Sequence, residues 1–331
     1  SPAYASHTSG DGEIRDGAPH GDESAGSSGD PGMSKTAREL RDHQLLHLPM
    51  RDDCITCQMA KMTSTYHRRV LRDCPDTEAT PLALRFGECS SSDLIGPTEP
   101  DLHGNRYLRV FQDEATGWNQ AYPIPTKEPA NTTPNLISWL TGRESEEIDR
   151  VHKTDGGGEF GCEYKEELRS RGIKPSLFPP DDCGAKARQE RFHRTLNDGA
   201  RVNLVQSGLP YMFWSLAAIF FLWMWNRLYV PTHCEVTPYE GRYGYGCPHL
   251  NKAAPFGCLA ITHYRGSIPK FAPRAYQGIL VGYQGDADAY MVLDLESFLL
   301  YHGRIKILIT RDAKLDPTKF PLNDPENIAA V

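Results

Sequence analysis

GNRYLRVFQDEATGWNQAYPIPTKE, residues 104–128, is the stretch from which the fold is read. Residues 106–112 and 118–124 are strand-like runs, and DEATG between them is a tight-turn sequence. Upstream, 85–94 reads as another strand, joined to this pair through a loop with Gly96, Pro97 and Gly104. Downstream the pattern changes. Residues 131–141 (NTTPNLISWLT) suggest a helix, and 148–153 (IDRVHK) a strand that runs into a Gly-rich loop. A helix over 162–171 and a short strand over 173–178 follow. PPDD at 179–182 then starts a long helix, since proline before acids is a helix N-terminal signal. Three strands, helix, strand, helix, strand, helix predicts an α/β domain over 85–230, a mixed five-stranded sheet with helices on both faces.

Three carboxylates occupy informative places in this frame: Asp93 in SSSDLIGP, Asp155 in VHKTDGGGEF and Glu190 in RQERFHRTL. They matter jointly only if the fold gathers them. Like charges in one pocket repel, so such a site needs a bound cation to stay ionised. Oxygen-only ligands favour Mg²⁺ or Mn²⁺ over zinc or copper. Taken singly, an aspartate at a strand end is a turn former. Asp181 and Asp182 read as helix caps, Asp113 as a turn or structural acid, and Glu159 as a neighbour of the site. The helix of Glu190 also carries Lys186, Arg188, Arg191 and Arg194. Lys186 and Arg194 lie four residues either side of Glu190 and share its face. They suit either a solvated, salt-bridged helix or contact with DNA phosphates.

A second constellation lies in residues 35–72, where TARELRDHQLLHLP reads as a helix. His43 and His47 are spaced i, i+4, and Cys54-Ile-Thr-Cys57 is a CxxC knuckle. Two imidazoles and two thiolates make a closed tetrahedral Zn²⁺ site. A module this small has little core of its own, so a metal staple is physically sensible. His67 is a substitute ligand. The bland alternative is an exposed histidine pair with incidental thiols. Cys89, Cys162, Cys183, Cys234, Cys247 and Cys258 show no ligand spacing, and Trp118 and Trp139 read as packing residues.

The remaining chain is bounded by composition. Residues 1–34 hold six acids, one base and almost no large apolar groups, and read as a disordered tail. Residues 35–72 hold eight bases against four acids, so the net charge of −7 hides a local basic region and does not argue against nucleic acid. Nine irregularly spaced cysteines suggest a reducing compartment, not a disulfide framework. FWSLAAIFFLWMW (213–225) is apolar for thirteen residues before Asn226 and Arg227, which suits a core helix and not a membrane span. Residues 231–257 read as a connecting segment. Residues 258–312 (YQGILVGY, AYMVLDL, RIKILIT) read as a small β-barrel-like module, with Lys270, Arg274, Arg304, Lys306 and Arg311 as a candidate DNA-facing stripe. Residues 313–331 read as a loose tail. A chain starting at Ser1 suggests a piece of a polyprotein.

With these residues in place the chain resembles the integrase of copia-type LTR retrotransposons, part of the retroviral-integrase superfamily with an RNase H-like core. The resemblance runs from about His43 to about Asp316. It rests on the three acid contexts, on 104–128, on TPYEGRYGYGCPHLNKAAPFGCLAITH and on PKFAPRAYQGILVGYQGDADAYMVLD. It implies that Asp93, Asp155 and Glu190 hold two Mg²⁺ or Mn²⁺ ions for 3′-end processing and strand transfer of element DNA into host DNA. It implies structural Zn²⁺ on His43, His47, Cys54 and Cys57, a homo-oligomer on DNA, and nuclear action after a cytoplasmic assembly stage. The chain departs from the family in carrying Cys183-Gly184, six residues before Glu190, where Asn-Gly usually lies closer. The rivals are a catalytically decayed or domesticated DNA-binding relative, a same-fold metal-dependent nuclease, and a zinc-stapled interaction module.

Overall fold

The computed structural model describes residues 34–61, 83–141, 149–155, 157, 161–178, 183–232, 234–248, 250–264, 267–284, 289–300 and 305–324; of 183–188 the backbone alone is described. Two sheets and two sets of helices account for them. The first sheet is built from β1 (Cys89–Ile95), β2 (Tyr107–Asp113), β3 (Asn119–Ile124), β4 (Val151–Thr154) and β5 (Lys174–Leu177), in the order β3-β2-β1-β4-β5. β1 to β3 form an antiparallel meander, while β1, β4 and β5 run parallel. This is the mixed, RNase H-like sheet, with β1 at its centre.

Both faces are covered. On one, α3 (Pro129–Leu140) and α4 (Cys162–Ser170) pack Leu136, Trp139, Tyr164 and Leu168 over Phe111. On the other, α5 (Cys183–Ser207) and α6 (Trp214–Leu228) pack Phe192, Leu196, Phe220 and Phe221 over Leu108, Val110 and Ala121. The strand alternation sorts these sets, because successive side chains point to opposite faces. α6 takes up the apolar run of 213–225; at about 1.5 Å per residue its fifteen residues span roughly 22 Å, short of the ~30 Å hydrocarbon layer. Among the described residues no helix is long and apolar enough to cross a membrane.

Ahead of the sheet stand α1 (Lys35–Leu46), capped by the Ser34 hydroxyl accepting from the Ala37 N–H, and α2 (Ile55–Lys61). After it, the short α7 (Pro238–Tyr243) leads to a second sheet. That sheet comprises β6 (Leu259–His263), β7 (Ala275–Tyr283), β8 (Tyr290–Asp294), β9 (Ile307–Thr310) and β10 (Ala313–Asp316), in the order β10-β6-β7-β8-β9, with α8 (Leu295–Leu300) between β8 and β9. All its pairings are antiparallel.

Three expectations need correction. The stretch 313–331 is not loose throughout: β10 pairs with β6, and Leu322 is buried in the main core. The first strand starts at Cys89 and not at 85, because Glu88 turns back to accept the Leu84 and Arg85 N–H groups. The first helix stops at Leu46, because His47 adopts a left-handed φ of 52° and donates its N–H back to the His43 carbonyl.

The α3/α4 face of the sheet also buries a polar network. His152 on β4 meets Ser90 at 2.6 Å through Nδ1 and Ser92 at 2.7 Å and Tyr164 at 2.9 Å through Nε2. Arg109 donates to Ser92 and Tyr164 at 2.7 and 2.8 Å. Asp149 accepts from Ser90 and, at 3.0 Å, from Trp139 Nε1. The network stitches β1, which carries Asp93, to β4, which leads into Asp155.

Gly199 marks a close approach of α5 and α6: a Cβ there would lie 2.2 Å from the Phe221 ring. Alanine gains about 1 kcal/mol over glycine inside a helix, but overpacking a core costs about 1–3 kcal/mol. The clash wins because a packed ring has nowhere to go. Gly199→Ala is expected to lower the urea midpoint without changing the m-value, and a raised midpoint would show that the helices separate there freely.

Candidate functional site

Asp93 sits on β1 and Asp155 one residue past β4. The parallel register pairs Ser92 with Thr154, so the two aspartates come one step beyond it, side by side and on the same sheet face. That face is the one covered by α5. Asp93 Oδ1 accepts the Leu94 N–H at 2.8 Å, and Asp155 Oδ1 accepts the Gly157 N–H at 3.2 Å. Burial pushes the Asp93 carboxyl above its ordinary range and the Asp155 charge pushes the same way, against His193 and the Leu94 N–H. A cation between the two aspartates would relieve that repulsion.

Glu190 lies on α5, exposed, between the buried Gln189 and the exposed Arg191. His193, one turn further along, reaches back so that Nδ1 is 3.6 Å from Asp93 Oδ2. Burial lowers the His193 pKa, while the charges of Asp93 and Glu190 oppose that. The fold thus joins Asp93, Asp155 and His193 and places Glu190 at the edge of this group. Among the described residues the only set of three or more ligand groups within metal-binding reach of one another is the histidine–cysteine one. His193 is the residue that sequence reasoning misses, although its i, i+3 spacing from Glu190 is an available signal. A cleft of about 230 Å³ between the sheet and α5 is lined in part by Ser91, Gln112, Gln189, Arg191, Trp225 and Tyr229, and Asp93, Asp155, Glu190 and His193 are not among its lining residues.

Of the basic residues on α5, Arg191 and Arg194 are exposed, and the Lys186 and Arg188 side chains lie outside the described residues. So do Glu159, Asp181, Asp182, His67 and Arg304. Asp113 is fully buried, accepting the Gly87 and Thr116 N–H groups and the Thr116 hydroxyl, which makes it the clamp of the β2–β3 turn. In the second sheet, Lys306 pairs with Asp294 at 3.5 Å, while Lys270, Arg274 and Arg311 are exposed.

His43, His47, Cys54 and Cys57 come together, their ligand atoms all within 4.8 Å of one another. His47 Nδ1 is 3.5 Å from both sulfurs, and His43 Nε2 is 3.6 Å from Cys57 Sγ. A tetrahedral ion with about 2.3 Å to sulfur and 2.0–2.1 Å to nitrogen gives S···N edges of roughly 3.5 Å. The donor set and its spacing therefore fit zinc. Burial lowers the pKa of both histidines, that of His47 to about 4, with the charges of His43 and Lys61 adding to it. Both imidazoles are thus held neutral, the form that ligates. Burial pushes the Cys57 thiol up, so ionising it calls for a cation.

This module is not a separate bead. Leu45 and Leu46 join the core cluster of α6. Lys61 Nζ donates to the His47 carbonyl at 2.7 Å, and Arg201 of α5 donates to the Ala60 carbonyl at 3.2 Å.

The His47 environment predicts a pH dependence for the metal-free chain. Its folded pKa is depressed to about 4, against roughly 6.5 when unfolded. Between those values the unfolded chain binds a proton that the folded chain excludes, so stability falls as pH drops through this window. The urea midpoint of chelator-treated protein is expected to decline from pH 7 to pH 5; His47→Gln should flatten that decline.

Residues 258–328 match the retroviral polymerase SH3-like domain. The chain is 25% identical over 248 residues to the retrovirus-related Pol polyprotein from transposon RE1 of Arabidopsis thaliana, covering 74% of this chain and 16% of that protein. It is 28% identical over 212 residues to the corresponding polyprotein from transposon TNT 1-94 of Nicotiana tabacum, covering 61% and 15%. Its homologues are thus retrotransposon and retroviral Pol polyproteins, of which it spans about a sixth of the length. Among solved structures, the HTLV-2 integrase catalytic core domain in complex with magnesium aligns at 20% identity and a TM-score of 0.38, covering 48% of this chain and 99% of that one.

Proposed function

We propose that this chain, a relative of retrotransposon Pol polyproteins, is their integrase: a polynucleotidyl transferase that processes the 3′ ends of element DNA and joins them to host DNA. The observation that carries this reading is the placement of Asp93 on β1 and of Asp155 one step past the end of the neighbouring parallel strand β4, beneath the helix that bears Glu190 and His193. Carboxylates held on a strand of a rigid sheet, or one step past its end, keep their spacing during a reaction better than acids borne on long loops.

Asp93 and Asp155 would hold Mg²⁺ or Mn²⁺, with Glu190 completing the site when α5 or its side chain moves inward. Bound divalent ions of this kind activate an attacking oxygen and stabilise the leaving oxygen of an in-line phosphoryl displacement. The protein's own part is positional. β1 and β4 fix the carboxylates, Arg191 and Arg194 present positive charge beside them for phosphate contact, and His193 holds Asp93 in place. His43, His47, Cys54 and Cys57 would bind Zn²⁺ structurally. A homo-oligomer on DNA, acting in the nucleus, follows from the same reading.

A second reading, a decayed or domesticated DNA-binding copy, draws on the exposure of Glu190 and on Gly184 lying six residues before it. The discriminating assay is strand transfer in Mn²⁺ by the purified chain with labelled duplex ends. Asp93→Asn, Asp155→Asn and Glu190→Gln are each expected to lower joining on the order of a thousandfold, about 4 kcal/mol of barrier, and to leave salt-sensitive DNA binding in place. Activity surviving Glu190→Gln would remove Glu190 from the site. Absence of joining by the parent, with DNA binding intact, would favour the decayed copy.

A further inference from the structure

His47 is held from two sides, and one of them is the helix that carries Glu190. Its Nδ1 faces both thiols at 3.5 Å. When a ring nitrogen binds a metal, the other carries the proton and needs an acceptor, which fixes the tautomer and the ring orientation. In His47 that other atom is Nε2. It is buried with no hydrogen-bond partner, and so is Oε1 of Gln206, on the last turn of α5. A stranded donor site and a stranded acceptor thus face the same seam, where α2 and α5 pack. Gln206 is close enough to act on the His47 ring, against the effect of burial.

We propose that Gln206 is the outer hydrogen-bond partner of His47, accepting its Nε2–H, and so links zinc occupancy to the seating of the helix that carries Glu190. The inference rests on reading the His/Cys cluster as a zinc site. The backbone of Gln206 is already anchored, its carbonyl accepting from Asn323 Nδ2 at 2.9 Å, so the side chain starts from a fixed point. On the module side, Lys61 holds the His47 carbonyl at 2.7 Å. Arg201, one turn and a half before Gln206, donates to the Ala60 carbonyl, so α5 already grips the module at one point and the His47 bond adds a second. Gln206 is a positioning residue: it touches the ligand and not the metal.

The test uses the full 331-residue chain and reads no DNA chemistry, so its outcome does not depend on whether the protein integrates. Zinc affinity would be measured by competition with a chromophoric chelator in the parent, Gln206→Leu and Gln206→Glu. Co²⁺ substitution would report the ligand set by its tetrahedral d–d bands, and hydrogen exchange would follow α5 with and without zinc. Gln206→Leu is expected to weaken zinc binding about 10- to 100-fold, the usual effect of losing an outer-shell partner, with the Co²⁺ bands still those of two sulfurs and two nitrogens. Gln206→Glu, which keeps the acceptor, should stay within a few-fold of the parent. Zinc should protect the C-terminal turns of α5 in the parent and less so in Gln206→Leu at saturating zinc. Leucine and parent affinities within twofold of each other would overturn the proposal. Equal losses in the leucine and glutamate variants would also overturn it, because they would point to packing and not to the acceptor. A parent chain without tetrahedral Co²⁺ bands would overturn the zinc assignment itself.

Discussion

The parallel pairing of β1 with β4 is the constraint on which the rest depends. Four residue pairs, Cys89 with Val151 through Ser92 with Thr154, set the register. A one-residue slip would send each side chain of β4 to the opposite face. The register puts Asp155 beside Asp93 and, in the same stroke, His152 between Ser90 and Ser92. One face of the central strand therefore carries the acids and the other a buried polar network. Each needs the other: the network holds the two strands in step, and the strands in step bring two carboxylates together.

A buried network of this kind is a poor way to gain stability, since desolvating Arg109 and Asp149 offsets most of what their hydrogen bonds contribute. Its value is selectivity among registers. An apolar contact between β1 and β4 tolerates small shifts, whereas hydrogen bonds between Ser90, Ser92 and Tyr164 and the two nitrogens of one ring do not. The acids then inherit their spacing from a contact they do not make.

The helices add a second layer. α5 crosses the acid face with His193 against Asp93 and ends against the His/Cys module, with Arg201 and Gln206 at that end. α6 fills the space behind it with aromatic rings, and Gly199 lets the two helices approach. The acid site and the metal module thus share one structural member, which is why the module packs into the core cluster through Leu45 and Leu46 and does not stand apart.

The sequence by itself determined the order of strands and helices over the central domain, because period-2 and helical patterns and the Gly/Pro breakers are local properties of the chain. It also determined the four histidine and cysteine residues that meet, because His43 with His47 and Cys54 with Cys57 are short-range spacings that a single turn or knuckle closes. Only the tertiary structure decided the rest. That His193 and not Glu190 touches Asp93 depends on how α5 is rotated over the sheet, which no spacing encodes. Ser90, Ser92, Arg109, Asp149 and His152 look like ordinary polar residues in the sequence, and become a network only when register and two covering helices exclude water from them. β10 was illegible for a similar reason: a four-residue strand becomes a strand when β6 offers it an edge, and the residues of 313–316 carry no strong strand preference of their own.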